Sequence, residues 1–266
     1  MRWSKGHTFG VVVISLAVLG VGAISVYRTF GDPGKWGIWS FLILAGLLVA
    51  LLAVVGLGLA HRVDGALMDS RFRISLAQFQ LAVWTVVVLG AWGAAVFANL
   101  GANKGSDAFN VSIPSELWLA LGISATSLGG SKLIQRQAGG SDPPEVITPA
   151  GKPTAAGLLS KRGETPAEWS ARGNLLAHTS PEHASWGDLF AADSVDSGAV
   201  PDISKIQMFF FTIVLAFGYA IACVDLFATS KLPISGLPEV NESFAILLGI
   251  SQGTYLAKKS VETVKT

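Results

Sequence analysis

The chain has 266 residues, of which 51% are hydrophobic and only 14% charged. A soluble domain carries about 25% charged residues, so this composition excludes an ordinary soluble domain and points to the membrane. A net charge of +1 leaves no electrostatic basis for nucleic-acid binding, and the single cysteine, Cys223, excludes an internal disulfide.

Residues 1–8 carry Arg2, Lys5 and His7, and an apolar run over 9–27 follows. A cleavable signal peptide is the rival reading. Against it, the run exceeds the usual 7–15-residue apolar region of such peptides, and no clear small-residue cleavage site follows. It is expected to be the first transmembrane helix. Asp32-Pro33-Gly34 then signals a turn, and Trp36 and Trp39 fall where an interfacial belt is expected. A second helix is expected over 38–60. Both runs come close to the ~20 residues that cross ~30 Å of hydrocarbon.

Residues 61–78 are charged, with Arg62, Asp64, Asp69, Arg71 and Arg73. Residues 71–80 are expected to form an amphipathic lead-in to a third helix over 79–98. After a polar loop, Pro114-Ser115-Glu116 reads as a helix start, because proline tolerates the first turn and a carboxylate suits the positive end of the helix dipole. The fourth helix, expected over 115–130, is short for a bilayer, at about 24 Å. Residues 131–206 form the sizeable polar region. Within it, 139–157 read as a flexible linker rich in Gly, Pro, Ser and Thr, and 166–177 as a short helix. His178 and His183 read as solvated loop residues, with no cysteine partner for a metal. The segment 186–190 places Trp186, Asp188, Leu189 and Phe190 together. It reads as a surface or lipid-interface contact, or as a docking site for a partner.

A fifth helix is expected over 206–227. Here the sequence repeats itself. Adding 127 to a position in 75–132 gives its counterpart in 202–259 without gaps. Gln80 pairs with Gln207, Thr85 with Thr212, and Leu121-Gly122-Ile123-Ser124 with Leu248-Gly249-Ile250-Ser251. One register held through two helices and a loop predicts a duplicated two-helix hairpin. The sixth helix, expected over 243–257, completes an all-α integral membrane fold of six spans. Its units are an N-terminal hairpin (1–65), a first repeat (75–132), a partly flexible loop (133–201) and a second repeat (202–259).

Six crossings put both termini on one side. That side carries eleven basic residues near helix ends and the other carries four. The positive-inside rule then makes the termini and the long loop cytoplasmic. Both repeats face the same way, so they are parallel rather than inverted.

No phosphate-binding loop, zinc motif or nucleophile elbow appears. No cofactor, metal or catalytic residue is expected, and a non-enzymatic role is. Apart from Glu116 in the first turn of the fourth, Asp225 is the one carboxylate in an expected span, and an acid there is a functional candidate by default, although its place near the outer end favours a hydrated position. Gln80, Thr85, Ser124, Gln207, Thr212, Ser251 and Gln252 either glue helices together or line a hydrated path. The second possibility makes a channel or pore-forming component the first functional expectation. The alternative is a membrane scaffold that docks a soluble cytoplasmic partner through 131–206. The bilayer is the expected environment, and self-association through like faces is expected.

The stretches SLAQFQLAVWTVVV, PSELWLALGISATSLGGSK, WGDLF, DISKIQMFFFTIVLAFGYA and LLGISQGTYLAKK resemble a group of bacterial multi-pass membrane proteins that share the Leu-Gly-Ile-Ser helices and a Trp-x-Asp-Leu-Phe element. The resemblance covers about 75–259. It implies a bacterial inner-membrane location and transfers no activity.

Overall fold

The computed structural model describes residues 5–28, 33–102, 105–118, 121–122, 145–146, 169–172, 175–193, 200–229, 231–241, 243 and 246. Four long helices dominate: α1 (Lys5–Arg28), α2 (Pro33–Ala60), α3 (Leu76–Gly101) and α4 (Ile203–Thr229). Each is long and apolar enough to cross a bilayer, as the first, second, third and fifth expected spans require. Of the fourth expected span, 115–118 and 121–122 are described and helical; its remainder, nearly all of the sixth and most of the 139–157 linker lie outside the described residues.

The helices alternate in direction where their connections are short. Gly10 of α1 lies beside Val54 of α2, and Ser25 bonds Ser40 across the opposite ends of the pair. α3 and α4 run parallel. Phe79 stacks on Phe209 near both starts, while Asn99, near the end of α3, bonds Ile234 just beyond α4. The core between them contains Trp84, Val88, Ala91, Ala95, Ala216, Tyr219 and Cys223. Alanines at helical spacing on α3 let neighbouring backbones approach closely. The faces turned outward are apolar: Leu16, Trp39, Val214 and Phe217 are each more than half exposed, as lipid-facing surfaces are.

Two expectations are corrected. The described residues of 166–177 are strand, not helix. β1 (Glu145–Val146), β2 (Trp169–Arg172) and β3 (Leu175–His178) form a three-stranded antiparallel sheet. Gly173-Asn174 sits between β2 and β3, and a Gly-Asn pair between short runs is a hairpin signal that outweighs weak helical periodicity. The helical lead-in over 71–80 is also shorter than expected. α3 begins at Leu76, while Ile74 makes an extended bridge to Met68. The fold is mostly helical, with this small sheet beside the bundle.

Candidate functional site: a clamped cap at one end of the bundle

The end of α2 and the starts of α3 and α4 share one end of the bundle. Residues 61–75 and 175–202 cover it as a cap. The cap begins at a sharp reversal. His61 adopts φ 57°, the left-handed conformation that ends many helices, and its amide donates to Leu57 O at 3.2 Å. The chain then folds back over Gly56. A Cβ there would stand 2.7 Å from Arg62 O and 2.9 Å from Gly65 N, so glycine is what lets loop and helix backbones touch.

Arg62 grips Asp64 with two parallel bonds, Nε to Oδ1 at 2.8 Å and Nη2 to Oδ2 at 2.9 Å, and its Nη1 donates to Glu182 O at 3.0 Å. The hydrogen bond with Asp64 raises the Arg62 pKa, and that with Arg62 lowers the Asp64 pKa. This forked geometry joins the two halves of the cap at its surface.

Beneath it lies a buried ion cluster. Asp193 Oδ1 receives Arg71 Nη2 at 3.1 Å, Arg73 Nη1 at 3.3 Å and Lys205 Nζ at 3.0 Å. Arg71 also pairs with Asp69 at 2.8 Å, and Arg73 lies 3.7 Å from Asp188. Three carboxylates thus face three cations, with side chains 2–6% exposed. Burial drives the Asp69 carboxyl up, but the Arg71 charge and hydrogen bonds outweigh it, so the net shift is downward. Asp188 behaves alike: burial opposes ionisation, while the hydrogen bond from His178 and the charge of Arg73 hold its pKa below the ordinary range. His178 Nε2 lies 3.1 Å from Asp188 Oδ2. The same carboxylate accepts Ser185 N, and Ser185 Oγ accepts Gly187 N, which caps the short 3-10 turn Trp186–Leu189.

The backbone follows the same seams. His178 N donates to Arg71 O and Leu176 N to Asp193 O, each at 2.9 Å. Lys205 Nζ also donates to Ala191 O at 2.8 Å. Within the buried cluster the charges pair with one another, which joins both halves of the cap to the foot of α4.

What the cap presents outward is Trp186. It is 50% exposed and meets Phe79 edge-on at 6.4 Å. Phe79 stacks on Phe209 at 5.4 Å, and Phe190 meets Phe209 edge-on at 5.1 Å. Two cavities adjoin the indole. One, of about 390 Å³, is apolar and runs between α2 and α3 past Val49, Leu52, Val83 and Val86. The other, of about 450 Å³, is lined by His61, Arg62, Val63 and Asp64.

The singled-out residues separate clearly. In the 186–190 segment, Asp188 and Leu189 are 3% and 1% exposed and serve as internal anchors; Phe190 is half-buried and Trp186 stands out. Gln80 and Thr212 come together: Gln80 Nε2 donates to Thr212 Oγ1 at 2.5 Å, and Thr212 Oγ1 donates to Met208 O at 2.9 Å. Both are fully enclosed. Thr85, Gln207 and Asp225 are exposed on the helix surfaces and are not drawn into that pair. Ser124, Ser251 and Gln252 lie outside the described residues.

His178 is corrected from a solvated loop residue to a buried strand residue, 3% exposed, because its ring finds Asp188. The sequence shows Asp69, Arg71 and Arg73 only as a charged run. They converge because 69–73 is a tight turn, with Phe72 at φ 55° and Asp69 N donating to Arg73 O at 2.9 Å, and Asp193 and Lys205 reach them from more than a hundred positions away.

Compared with known proteins, the chain matches no family model, no curated protein and no solved structure. The functional reading therefore rests on the cap itself.

Proposed function

We propose that the protein is a bacterial inner-membrane scaffold, with cytoplasmic termini, whose cap docks a soluble cytoplasmic partner through Trp186. The observation that carries this reading is a half-exposed indole held on a clamped platform between two cavities. A large rigid aromatic side chain loses little conformational entropy on binding and is a common anchor at interfaces. The buried Asp188 and Leu189 fix the turn that presents it. Docking is favoured over a pore because Gln80 and Thr212 satisfy each other in a dry contact instead of lining water. The basic excess at the cap end supports the cytoplasmic assignment.

The test is quantitative co-purification after in-cell crosslinking, comparing wild type with Trp186→Ala at equal membrane abundance. At least one soluble protein enriched by wild type is expected to fall tenfold or more with the variant. An unchanged set of co-purifying proteins would overturn the proposal and leave the indole as a headgroup anchor.

A further inference from the structure

The two cavities beside Trp186 share a rim. Val63, Asp64 and Trp186 line both, so the apolar cleft between α2 and α3 adjoins the polar pocket at the cap. The cleft reaches from the cap to Val49 and Val87. Val49 stands eleven residues before the end of α2 and Val87 eleven after the start of α3, about 16 Å of rise in each helix. That is half of the ~30 Å thickness of the hydrocarbon layer. The cleft is therefore one leaflet deep, with its polar end at the bilayer surface.

The polar end has a defined charge pattern. Arg62 and Asp64 are bonded side by side at 2.8 and 2.9 Å and together form a dipole with no net charge. Their side chains are 27% and 12% exposed, so both can be reached. Among the described residues, Asp64 and Glu182 O take three of the five guanidinium N–H donors, which leaves one on each Nη nitrogen. A carboxylate has about four acceptor sites, and Arg62 fills two of them. His61 is exposed on the pocket wall and adds a ring donor. The ligand that complements a fixed neutral dipole carries both charges, an anion for Arg62 and His61 and a cation for Asp64. A purely anionic headgroup would meet Asp64 with like charge, and a quaternary ammonium has no N–H to give it.

We propose that the two cavities hold one phospholipid with a zwitterionic, primary-ammonium headgroup. One acyl chain lies in the cleft, the phosphate sits on Arg62 and His61, and the ammonium sits on Asp64. The pairing sets two opposed dipoles side by side, each charge against its opposite. An apolar cleft with a few polar groups at one end is the usual form of a small-molecule site. The proposal rests on α2 and α3 crossing a bilayer and is independent of whether Trp186 docks a soluble partner.

The experiment is native mass spectrometry of the full-length protein released from micelles that contain phosphatidylethanolamine, phosphatidylglycerol and phosphatidylcholine with identical acyl chains. Wild type is expected to retain one phosphatidylethanolamine about tenfold more tightly than either of the others, the scale of one charge-assisted hydrogen bond. Asp64→Asn removes the partner of the ammonium and leaves Arg62 in positive excess, so the preference should pass to phosphatidylglycerol. Ala82→Trp fills the cleft and should weaken all three lipids alike. Equal retention of the three headgroups by wild type, a wild-type preference for phosphatidylglycerol, or an Asp64→Asn variant that keeps the wild-type order would each overturn the proposal. The wild-type comparison needs no substitution, so it stays decisive even where a variant fails to fold.

Discussion

Lys205 Nζ and Asp193 Oδ1 lie 3.0 Å apart at the foot of α4. The same oxygen receives Arg71 and Arg73, so one carboxylate ties the membrane helix to both halves of the cap. Removing one side of a buried ion cluster costs more than the cluster contributes, because the remaining charges stay buried. Asp193→Asn is therefore expected to destabilise the cap by about 3–5 kcal/mol, with helical circular dichroism retained. Hydrogen exchange should accelerate at the amides of Leu176 and His178, which bond across the cluster. Lys205→Met should cost less, since two arginines still hold the carboxylate. Equal effects for the two variants would count against a shared hub at Asp193.

The carboxyls of Asp64, Asp69 and Asp188 are all held below their ordinary range. Their folded-state values therefore lie below the unfolded value of about 3.9. In that window the unfolded chain binds more protons, so stability rises with pH. The contribution is complete above about pH 5 and is lost as pH falls through the folded values. The melting midpoint of the cap is expected to stay level from pH 8 to pH 5 and to drop below about pH 4. A midpoint that held level at pH 3 would show that these pairs contribute nothing.

The four helices were legible because each is a run of about 20 apolar residues, a signal that needs no tertiary knowledge. The cap was not. Arg71 and Asp193 are 122 positions apart, and a charged residue reads the same in sequence whether solvated or buried. Gln80 and Thr212 were legible as special through the repeat, yet their direct bond was not. The 127-residue offset pairs each with its own copy, whereas the contact crosses between copies. The β2–β3 pairing was hidden because a four-residue strand is too short to show a period.

Gly56 sets the angle at which the cap leaves α2. Its missing side chain is replaced by loop backbone, which cannot rotate away as a flexible side chain would. Gly56→Ala is expected to cost about 1–3 kcal/mol through overpacking. It should also loosen the grip of Arg62 on Glu182 O. Protease cleavage within 61–68 should become faster, whereas Gly46→Ala, which meets open space, should leave the pattern unchanged.

At the opposite end, Asn99 serves as an internal splint. Its Oδ1 accepts Ile234 N at 2.7 Å, and its Nδ2 donates to Ile234 O at 2.8 Å. The residue is 1% exposed. Asn99→Leu keeps the volume and strips both bonds, leaving two backbone groups without this partner. Each such group costs about 1–3 kcal/mol. Faster hydrogen exchange at Ile234, with the cap unaffected, is the expected signature.

The Gln80–Thr212 contact separates a dry joint from a wet path. Thr212→Val takes away the acceptor for the Gln80 amide, whereas Gln80→Leu leaves the Thr212 hydroxyl still bonded to Met208 O. Thr212→Val should therefore be the costlier of the two. In a double-mutant cycle followed by reversible unfolding in bilayers, a dry interhelical bond couples its partners by about 0.6–1.7 kcal/mol. Water in a hydrated path would replace either partner and bring the coupling close to zero. A measured coupling inside the first range would mark the pair as glue between α3 and α4, and a value near zero would restore the channel reading.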